Sequence, residues 1–281
     1  MKNNLMKKFE NVVIASDLDG TYFGTKSYLV QRNVERVKYF CENGGHFTFA
    51  TGRLPLFIKK PIPDPQKYIN MPAVMGNGTC IYDFNVNKAI EENFLDNDKT
   101  VEILQFAKDF DGSIGIRATF PEGFAVADIE NPIARHEYER LPDFMDKRIL
   151  PFERWCELDL YKANILAPDE CIDALYPMLK EKFSNTMGVT RSASFMIELI
   201  PYGITKAAGL KKLVKEYFDR KMTLCCVGDY DNDIEMLRLA DIAVCPSNAN
   251  DNVKTICHKC LCSNEEGVIG DLIDMLDREI S

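Results

Sequence analysis

Two carboxylates lie two positions apart, at Asp17 and Asp19, directly after the apolar residues 12–15. A continuous β-branched run of this kind is typical of a buried strand in a parallel sheet. Gly20 permits a sharp turn, and residues i and i+2 of an extended segment point to the same side. We therefore expect both carboxylates to face one small volume, where their repulsion requires a cation or a proton between them. The pair predicts a metal site, an acid/base pair or both, although an ordinary turn or helix cap would use the same residue types.

A second acidic turn follows the apolar residues 223–227 and has the sequence Gly-Asp-Tyr-Asp-Asn-Asp at positions 228–233. Acidic residues suit the start of a helix, but four carboxylate or amide side chains in five positions exceed what a cap requires. Oxygen ligands at this density suit Mg²⁺, which proteins usually hold through one or two carboxylates together with water and phosphate. Two strand ends that carry such turns can converge on one ion.

Two further segments could contact a phosphate. Lys206 begins a predicted helix over residues 206–218, where a cation opposes the helix macrodipole. A solvated surface lysine is one interpretation, and the other places it beside a phosphate to neutralise charge during phosphoryl transfer. Thr51, Gly52 and Arg53 follow the predicted strand 46–50, and a hydroxyl with helix-start amides can form a phosphate cradle.

The composition excludes several classes of protein. The 281 residues carry a formal net charge of -9 without a long basic block, which argues against nucleic acid or an anionic membrane as the main partner. We find no apolar stretch of membrane-spanning length, and the first residues lack the apolar core of a signal peptide. The ten cysteines are scattered and several lie in apolar runs, so we expect reduced thiols and a cytoplasmic protein.

Three cysteines and a histidine lie close together in residues 257–262. A zinc site would need a second cluster to complete four ligands. Alternation along a strand would place Cys260 and Cys262 on one face. We therefore predict an edge strand with half-buried thiols here rather than a metal site.

The order of the predicted elements divides the chain into two parts. Strands and helices alternate over residues 1–84 and again over residues 200–281, which predicts a doubly wound α/β core around a parallel sheet. Residues 85–199 have a different texture and predict an inserted α+β domain. Its predicted elements are helices near 99–110 and 170–183 and strands near 114–119, 160–166 and 194–200.

Four segments occur in the order typical of one known family. They are Asp-Leu-Asp-Gly-Thr at 17–21, Ala-Thr-Gly-Arg at 50–53, the lysine Lys206, and residues 228–233. With the insertion between the second and third segments, the chain resembles phosphohydrolases of the haloacid dehalogenase (HAD) superfamily, and most closely the Cof-type subgroup. The resemblance implies a Rossmann-like core, a large C2B-like α+β cap at residues 85–199, and a phosphoric monoester hydrolase.

The resemblance also implies a role for each matching residue. Asp17 would be the nucleophile that forms an aspartyl-phosphate, and Asp19 would act as general acid and then as general base. Thr51 would hydrogen-bond the transferring phosphoryl group, and Lys206 would stabilise its charge.

The same resemblance implies a Mg²⁺ cofactor and a set of substrate contacts. The ion would be held by Asp17, by the backbone carbonyl of Asp19 and by Asp229, with Asp233 as a further residue of the metal site. The residues implied in substrate binding are Gly52, Arg53, Asn232 and Asn248.

Two segments depart from the family pattern. Tyr22 and Phe23 replace smaller residues after the first motif, so we expect a bulkier entrance there. Residues 245–249 read Cys-Pro-Ser-Asn-Ala where a Met-Gly-Asn-Ala-like turn is usual, and Asn248 still matches. Pro246 should stiffen this loop.

The sequence favours a Mg²⁺-dependent phosphatase that acts on a small phosphate ester such as a sugar phosphate, as a monomer or weak homo-oligomer. A phosphomutase or phosphotransferase would use the same Asp17 and Asp19. A non-catalytic protein that binds Mg²⁺ or phosphate is a third alternative, which the presence of both aspartates and Lys206 disfavours.

Overall fold

The computed structural model describes residues 7–280, and the chain divides into two compact units. The core unit contains the described residues up to Glu91 and from Thr205 onward, and the inserted unit spans Glu92–Ile204. The sequence placed the corresponding transitions a few residues earlier, after residues 84 and 199. That the core unit carries the chemistry and the inserted unit is a cap remains a prediction.

Strands form the sheets of both units, and most of their apolar residues are buried. All five residues of the first strand are buried, as a continuous apolar run predicts. The strands are β1 Val12–Ser16, β2 His46–Phe49, β3 Ala73–Met75, β4 Cys80–Asp83, β5 Lys88–Glu92, β6 Gly115–Phe120, β7 Gly123–Val126, β8 Asp146–Ile149, β9 Lys162–Leu166, β10 Met187–Ala193, β11 Met196–Pro201, β12 Thr223–Val227, β13 Ile242–Pro246 and β14 Lys259–Leu261.

The helices follow the strands in the alternation that the sequence predicts. Several begin at side-chain caps, such as Asn131, whose Oδ1 accepts hydrogen bonds from the backbone of Ile133 and Ala134. The helices are α1 Gln31–Glu42, α2 Pro55–Ile58, α3 Asn97–Phe110, α4 Pro132–Arg140, α5 Asp169–Phe183, α6 Lys206–Tyr217, α7 Ile234–Leu239, α8 Asp251–Ile256 and α9 Val268–Glu279. None of the helices within residues 7–280 is both long and apolar enough to cross a membrane.

The core unit is built on a five-stranded parallel sheet of order β14-β13-β12-β1-β2. The strand order reverses direction at β1, since the chain adds β2 on one side and β12 to β14 on the other. In such sheets ligands bind beyond the carboxyl ends of the strands at the point of reversal. The doubly wound parallel core predicted from the sequence is therefore confirmed, and the ends of β1 and β12 are the place to look for a site.

A small sheet of order β3-β4-β5, in which β3 and β4 are antiparallel, completes the core unit. Its first hairpin turns at Asn77, which has a left-handed φ of 59° and lies between Gly76 and Gly78. The Asn-Gly sequence predicts this turn. A bridge between Ala50 and Val74 joins the end of β2 to β3, so the turn lies next to the loop that follows β2.

The inserted unit contains a six-stranded sheet of order β10-β11-β9-β6-β7-β8, antiparallel except for the β7–β8 pair. Apolar residues of this sheet form one core with helices α3 and α5, which include Ile103 and Leu175. The antiparallel sheet with helices is the α+β organisation expected for this segment.

The inserted unit contains buried charges that pair with one another. Lys162 pairs with Glu198, and Arg117 pairs with Glu137 of α4. Asn164 donates a hydrogen bond to Glu198 and accepts one from Arg117, so these side chains form a connected polar network. The positive partners hold the pKa of Glu198 below its ordinary value although burial acts in the opposite direction.

Candidate active site

Two acidic loops meet at the carboxyl edge of the core sheet. Asp17 follows β1 directly, and Asp229 lies two residues after β12. The strands are parallel neighbours, and the backbone N–H of Asp17 donates to the carbonyl of Val227 at 2.9 Å. The structure therefore brings the two acidic turns together, as the sequence predicts.

Lys206 is the first residue of α6 and points into the core unit rather than into solvent. Thr205 caps the helix by accepting from the N–H of Ala208. Nζ of Lys206 lies 2.7 Å from Oδ1 of Asp17 and 2.8 Å from Oδ1 of Asp233, and the residue is only 2% exposed. Burial by itself lowers the pKa of Lys206, but the two carboxylates outweigh it and hold this pKa above its ordinary value. The surface interpretation of this lysine is therefore wrong.

Asp233 fixes the loop that carries Asp229. Its Oδ2 accepts hydrogen bonds from the backbone N–H groups of Asp229 at 3.0 Å and Tyr230 at 3.2 Å. Gly228 leaves the space, since a Cβ there would lie 2.5 Å from the Cβ of Asp233. Both oxygens of Asp233 thus have protein partners, which suits a residue that supports a metal site from behind.

Asp229 is oriented by the turn that follows β1. Oγ1 of Thr21 donates to Oδ1 of Asp229 at 2.6 Å. Gly20 has a φ of +78°, and a Cβ at this position would lie 2.4 Å from Oδ2 of Asp229. A residue with a side chain would be strained there and would also displace the carboxylate. The sequence analysis assigned Thr21 no role, although it belongs to the first motif.

Three carboxylates form a compact acidic cluster, since Asp17, Asp229 and Asp233 each offer an oxygen within 4.8 Å of the others. Burial raises the pKa of Asp17 well above its ordinary value, and the neighbouring carboxylates add to this although Lys206 opposes it. Burial likewise raises the pKa of Asp229 to about 6, against the hydrogen bond from Thr21. A divalent cation would favour the ionised forms, so the donor set fits a hard metal ion.

Asp19 takes a different partner from Asp17. Arg53 donates to it from Nε at 2.7 Å and from Nη2 at 2.6 Å, and the Asp19 side chain is 56% exposed. Leu18–Tyr22 form a tight turn in which Asp19 has extended dihedral angles and Gly20 has a φ of 78°. Burial is the main cause of the raised pKa of Asp229, and Asp19 is one of the carboxylates that add to it. That Asp17 and Asp19 face one small volume stays a prediction. Asp19 is not one of the three carboxylates of the acidic cluster, and its sequence context did not predict the pairing with Arg53.

A series of hydrogen bonds between polar groups fixes the loop that follows β2. Thr51 is buried, and its Oγ1 accepts from the N–H of Arg53 at 3.2 Å. Asn77 donates its backbone N–H to the carbonyl of Thr51 at 2.9 Å, and its Oδ1 accepts from Asn232 at 3.3 Å. A Cβ on Gly52 would lie 3.2 Å from the Asn77 amide. Asn77 thus links the second and fourth motifs, whereas its sequence context predicted only a turn.

Asn248 joins two loops at the same edge of the sheet. Its Nδ2 donates to the carbonyl of Gly20 at 2.9 Å, and its Oδ1 accepts from the N–H of Asn264 at 2.9 Å. In this structure its amide therefore positions the first motif, and its predicted contact with phosphate remains a prediction. The neighbouring Cys245 is buried in the core sheet.

The departure at Tyr22 and Phe23 is absorbed by the core. Tyr22 is fully buried, with its ring beside those of Phe47 and Phe49, and Phe23 is 2% exposed. The side chain of Tyr22 therefore does not narrow an entrance. The aromatic residue exposed on this loop is Tyr28. Strand β14 is the edge strand of the core sheet, as expected. Cys257 and Cys262 are half-buried, whereas Cys260 is exposed, so the prediction of half-buried thiols is wrong for Cys260.

Comparisons with known proteins agree with this geometry. Over residues 14–273 the chain matches the sequence profile of the haloacid dehalogenase-like hydrolases. It is 24% identical over 287 residues to one relative, the 5-amino-6-(5-phospho-D-ribitylamino)uracil phosphatase YwtE of Bacillus subtilis, covering 94% of this chain and 97% of that protein.

Two further proteins have similar coverage. The phosphatase YbjI of Escherichia coli, named for the same substrate, is 25% identical over 93% of this chain and 94% of its own length. The crystal structure of a HAD/COF-like hydrolase from Plasmodium vivax superposes with a TM-score of 0.80 at 22% identity, covering 97% of each chain. The profile match spans most of the sequence, and the chain belongs to the haloacid dehalogenase-like hydrolase family as a phosphoric monoester hydrolase.

Proposed function

We propose that the protein is a Mg²⁺-dependent phosphatase that hydrolyses a small phosphorylated metabolite through an aspartyl-phosphate on Asp17. The observation that carries this proposal is the buried Lys206 between Asp17 and Asp233, with Asp229 completing the acidic cluster. A buried cation among carboxylates at the reversal point of an α/β sheet suits the binding of a phosphoryl group together with a metal ion.

Asp17 supplies the nucleophilic oxygen in the proposed first step. A bond forms between a carboxylate oxygen of Asp17 and phosphorus while the bond from phosphorus to the ester oxygen breaks. Asp19 donates a proton to the departing oxygen, which leaves as an alcohol. Water then attacks phosphorus, Asp19 accepts its proton, and the Asp17 carboxylate is regenerated with inorganic phosphate. Because Asp19 is half exposed, its carboxyl group can reach a substrate once Arg53 releases it.

In this proposal Lys206 and Mg²⁺ offset the negative charge of the phosphoryl group. Lys206 neutralises one oxygen from its fixed position in the core unit. Asp17, the carbonyl of Asp19 and Asp229 would hold Mg²⁺, with Asp233 supporting the loop of Asp229. The bound ion would supply Lewis-acid stabilisation of charge on the phosphoryl oxygens.

A phosphate-release screen tests the proposed function. The purified protein should release phosphate from members of a panel of sugar, polyol and nucleoside phosphates when Mg²⁺ is present and not when EDTA replaces it. The panel should include 5-amino-6-(5-phospho-D-ribitylamino)uracil, since two relatives are named for it. Adding sugar acceptors would reveal phosphoryl transfer instead of hydrolysis. Equal turnover with and without divalent metal would contradict the proposal.

Asp229→Asn tests the metal site. The amide can still accept the hydrogen bond from Thr21 but removes the charge of a proposed ligand. We expect the Mg²⁺ concentration for half-maximal activity to rise by about 10- to 100-fold or more. Asp233→Asn should give a smaller rise, because Asp233 is proposed to act through the loop.

Asp231→Asn is the matched control, since Asp231 belongs to the same loop but accepts from Asn250 and Asn252 outside the acidic cluster. Its metal titration should match the wild type. Identical titrations for all three variants would contradict the proposed ion site.

Location and assembly also belong to the proposal. All ten cysteines are free thiols in the structure, and Cys225 and Cys226 are buried side by side in β12. This supports a reducing compartment such as the cytoplasm. We propose that the protein acts on a free small molecule as a monomer or weak homo-oligomer.

A further inference from the structure

An aromatic platform lies beside Asp19 in the core unit, and we define it as Phe23, Tyr28 and Arg53. Cζ of Arg53 lies 5.4 Å from the ring centroid of Phe23 and 5.9 Å from that of Tyr28. The two rings are 5.3 Å apart and meet edge to face at 70°. A cation over a ring face and an edge-to-face pair of rings are both favoured by the ring quadrupole. These contacts therefore stabilise the positions of the three side chains.

The platform is fixed at its base and open at its top. Phe23 is 2% exposed, and its backbone pairs with Leu29 in an antiparallel bridge. Tyr28, one residue before the bridge partner, is 52% exposed. Packing within the core unit explains the burial of Phe23, whereas Tyr28, which also hydrogen-bonds Arg53, leaves about half of its surface open to a ligand. Residues with an exposed aromatic face beside a polar site are common in ligand recognition.

Arg53 connects the platform to the reacting groups. The guanidinium that lies against both rings also holds Asp19 through two hydrogen bonds. These distances place the Tyr28 ring within about 10 Å of the Asp19 carboxylate. Asp19 is the proposed proton donor to the departing oxygen, so the leaving group must lie on this side of the phosphoryl group. A ring a few bonds from that oxygen is within reach of Tyr28.

We propose that Tyr28 is a specificity-determining residue that stacks on a planar aromatic or heteroaromatic ring in the leaving group. This assignment rests on the proposed phosphatase function and narrows its substrate class to monoesters whose ring lies close to the phosphoryl group. Phe23 contacts Tyr28 edge to face, and Arg53 lies against the Tyr28 ring, so both side chains hold the ring beside the loop of Asp19. Stacking on a preformed aromatic surface corresponds to about a 3- to 10-fold preference over a saturated ring of the same size.

A matched ligand pair measures this preference by binding alone. Benzylphosphonate and cyclohexylmethylphosphonate have the same carbon skeleton, but only the benzyl ring is planar and aromatic, and neither compound has a cleavable ester oxygen. Titration calorimetry with the Mg²⁺-loaded protein should give a 3- to 10-fold tighter Kd for the benzyl compound. Benzyl phosphate and cyclohexylmethyl phosphate, assayed by phosphate release, should show the same order in KM, with a smaller difference in kcat.

Three substitutions of Tyr28 test whether this residue causes the preference for the aromatic phosphonate. Tyr28→Ala and Tyr28→Leu should bring the Kd ratio of the two phosphonates close to one, because leucine restores apolar area but not the π-face. Tyr28→Phe should keep the ratio. The control is Tyr217→Ala, an exposed tyrosine at the last position of α6, about 16 Å along the helix from Lys206, and it should also keep the ratio.

The outcomes separate this assignment from the proposed function. A wild-type protein that binds both phosphonates equally, or a preference that survives in Tyr28→Leu, would overturn the role of Tyr28. A preference that depends on Tyr28, in a protein that hydrolyses neither phosphate, would support the ring site and contradict the phosphatase proposal. Hydrolysis of both phosphates with equal KM values in wild type and Tyr28→Ala would support the phosphatase and overturn the ring site.

Discussion

Asp17→Asn should reduce phosphatase turnover by a factor on the order of 10³ or more while the protein stays folded. The amide of asparagine cannot form the acyl-phosphate, so the covalent route is lost and not merely slowed. Its carbonyl oxygen can still accept the hydrogen bond that Lys206 donates to Oδ1. Removing one of three crowded carboxylates also relieves repulsion in the metal-free protein. The free energy of unfolding should therefore be unchanged or slightly higher.

Two measurements check this expectation. Phosphate release from an activated aryl ester at saturating Mg²⁺ gives the loss of turnover, and urea unfolding gives the stability. Asp231→Asn, an aspartate of the neighbouring acidic loop outside the cluster, should keep activity within about twofold. A crystal structure of the wild-type protein with Mg²⁺ and beryllium fluoride should show the beryllium bonded to a carboxylate oxygen of Asp17. Activity above a tenth of wild type in a folded Asp17→Asn variant would contradict the nucleophile assignment.

The parts of the site that local sequence predicts are those where a strand ends. The buried runs of β1 and β12 each stop at an acidic turn, and a parallel sheet places such ends together at one edge. Lys206 is a different case, because its sequence context allowed either a surface or a buried position. In the structure Lys206 is buried, because the loops after β1 and β12 place Asp17 and Asp233 beside its Nζ.

The pairings that the sequence did not reveal are between residues far apart in the chain. Asp19 and Arg53 are 34 positions apart, and Asn77 reaches Asn232 across 155 positions. The pattern around each residue fixes its secondary structure but not its partner, since register between distant loops depends on how the sheet assembles. Asn77 is both a turn residue and a support of the site. Because a turn alone accounts for an asparagine followed by a glycine, the sequence does not indicate the second role.

Within the inserted unit, residues 123–149 were the least predictable. Strands β7 and β8 have four residues each, and β8 is mostly exposed at the edge of the sheet, so it has little apolar periodicity. Helix α4 had a readable signal in Asn131 followed by Pro132, a cap and a first-turn proline, which the sequence analysis did not use. Glu137 of α4 is buried and pairs with Arg117. A charged residue at a buried position interrupts the apolar stripe by which a helix is recognised in a sequence.

Lys206→Met should be the variant that damages both stability and activity. Methionine approximates the length of the lysine stem but leaves Asp17 and Asp233 without their shared cation in a buried site. Removing one partner of a buried ion pair costs about 3–5 kcal/mol in free energy of unfolding. Activity should fall by a factor on the order of 10² to 10³, because a preorganised positive charge beside the phosphoryl group is lost.

A second substitution separates the two effects. In Lys206→Met with Asp233→Asn, one of the two unpaired charges is removed, while the asparagine Oδ1 can still accept from the N–H of Asp229. Stability should return in part, whereas activity should remain at the level of the single variant. Lys211→Met, at an exposed position of the same helix, is the control and should change stability by no more than about 0.5 kcal/mol.

Metal binding distinguishes a catalytic lysine from one that only fills space. Lys206→Met should bind Mg²⁺ at least as tightly as the wild type, since it removes a cation from beside the acidic cluster, whereas Asp229→Asn should bind it more weakly. Calorimetric titration of the two variants should thus move in opposite directions, although both lose activity. If the double variant recovered turnover together with stability, Lys206 would act only by neutralising Asp17 and Asp233, and its proposed contact with the phosphoryl group would be wrong.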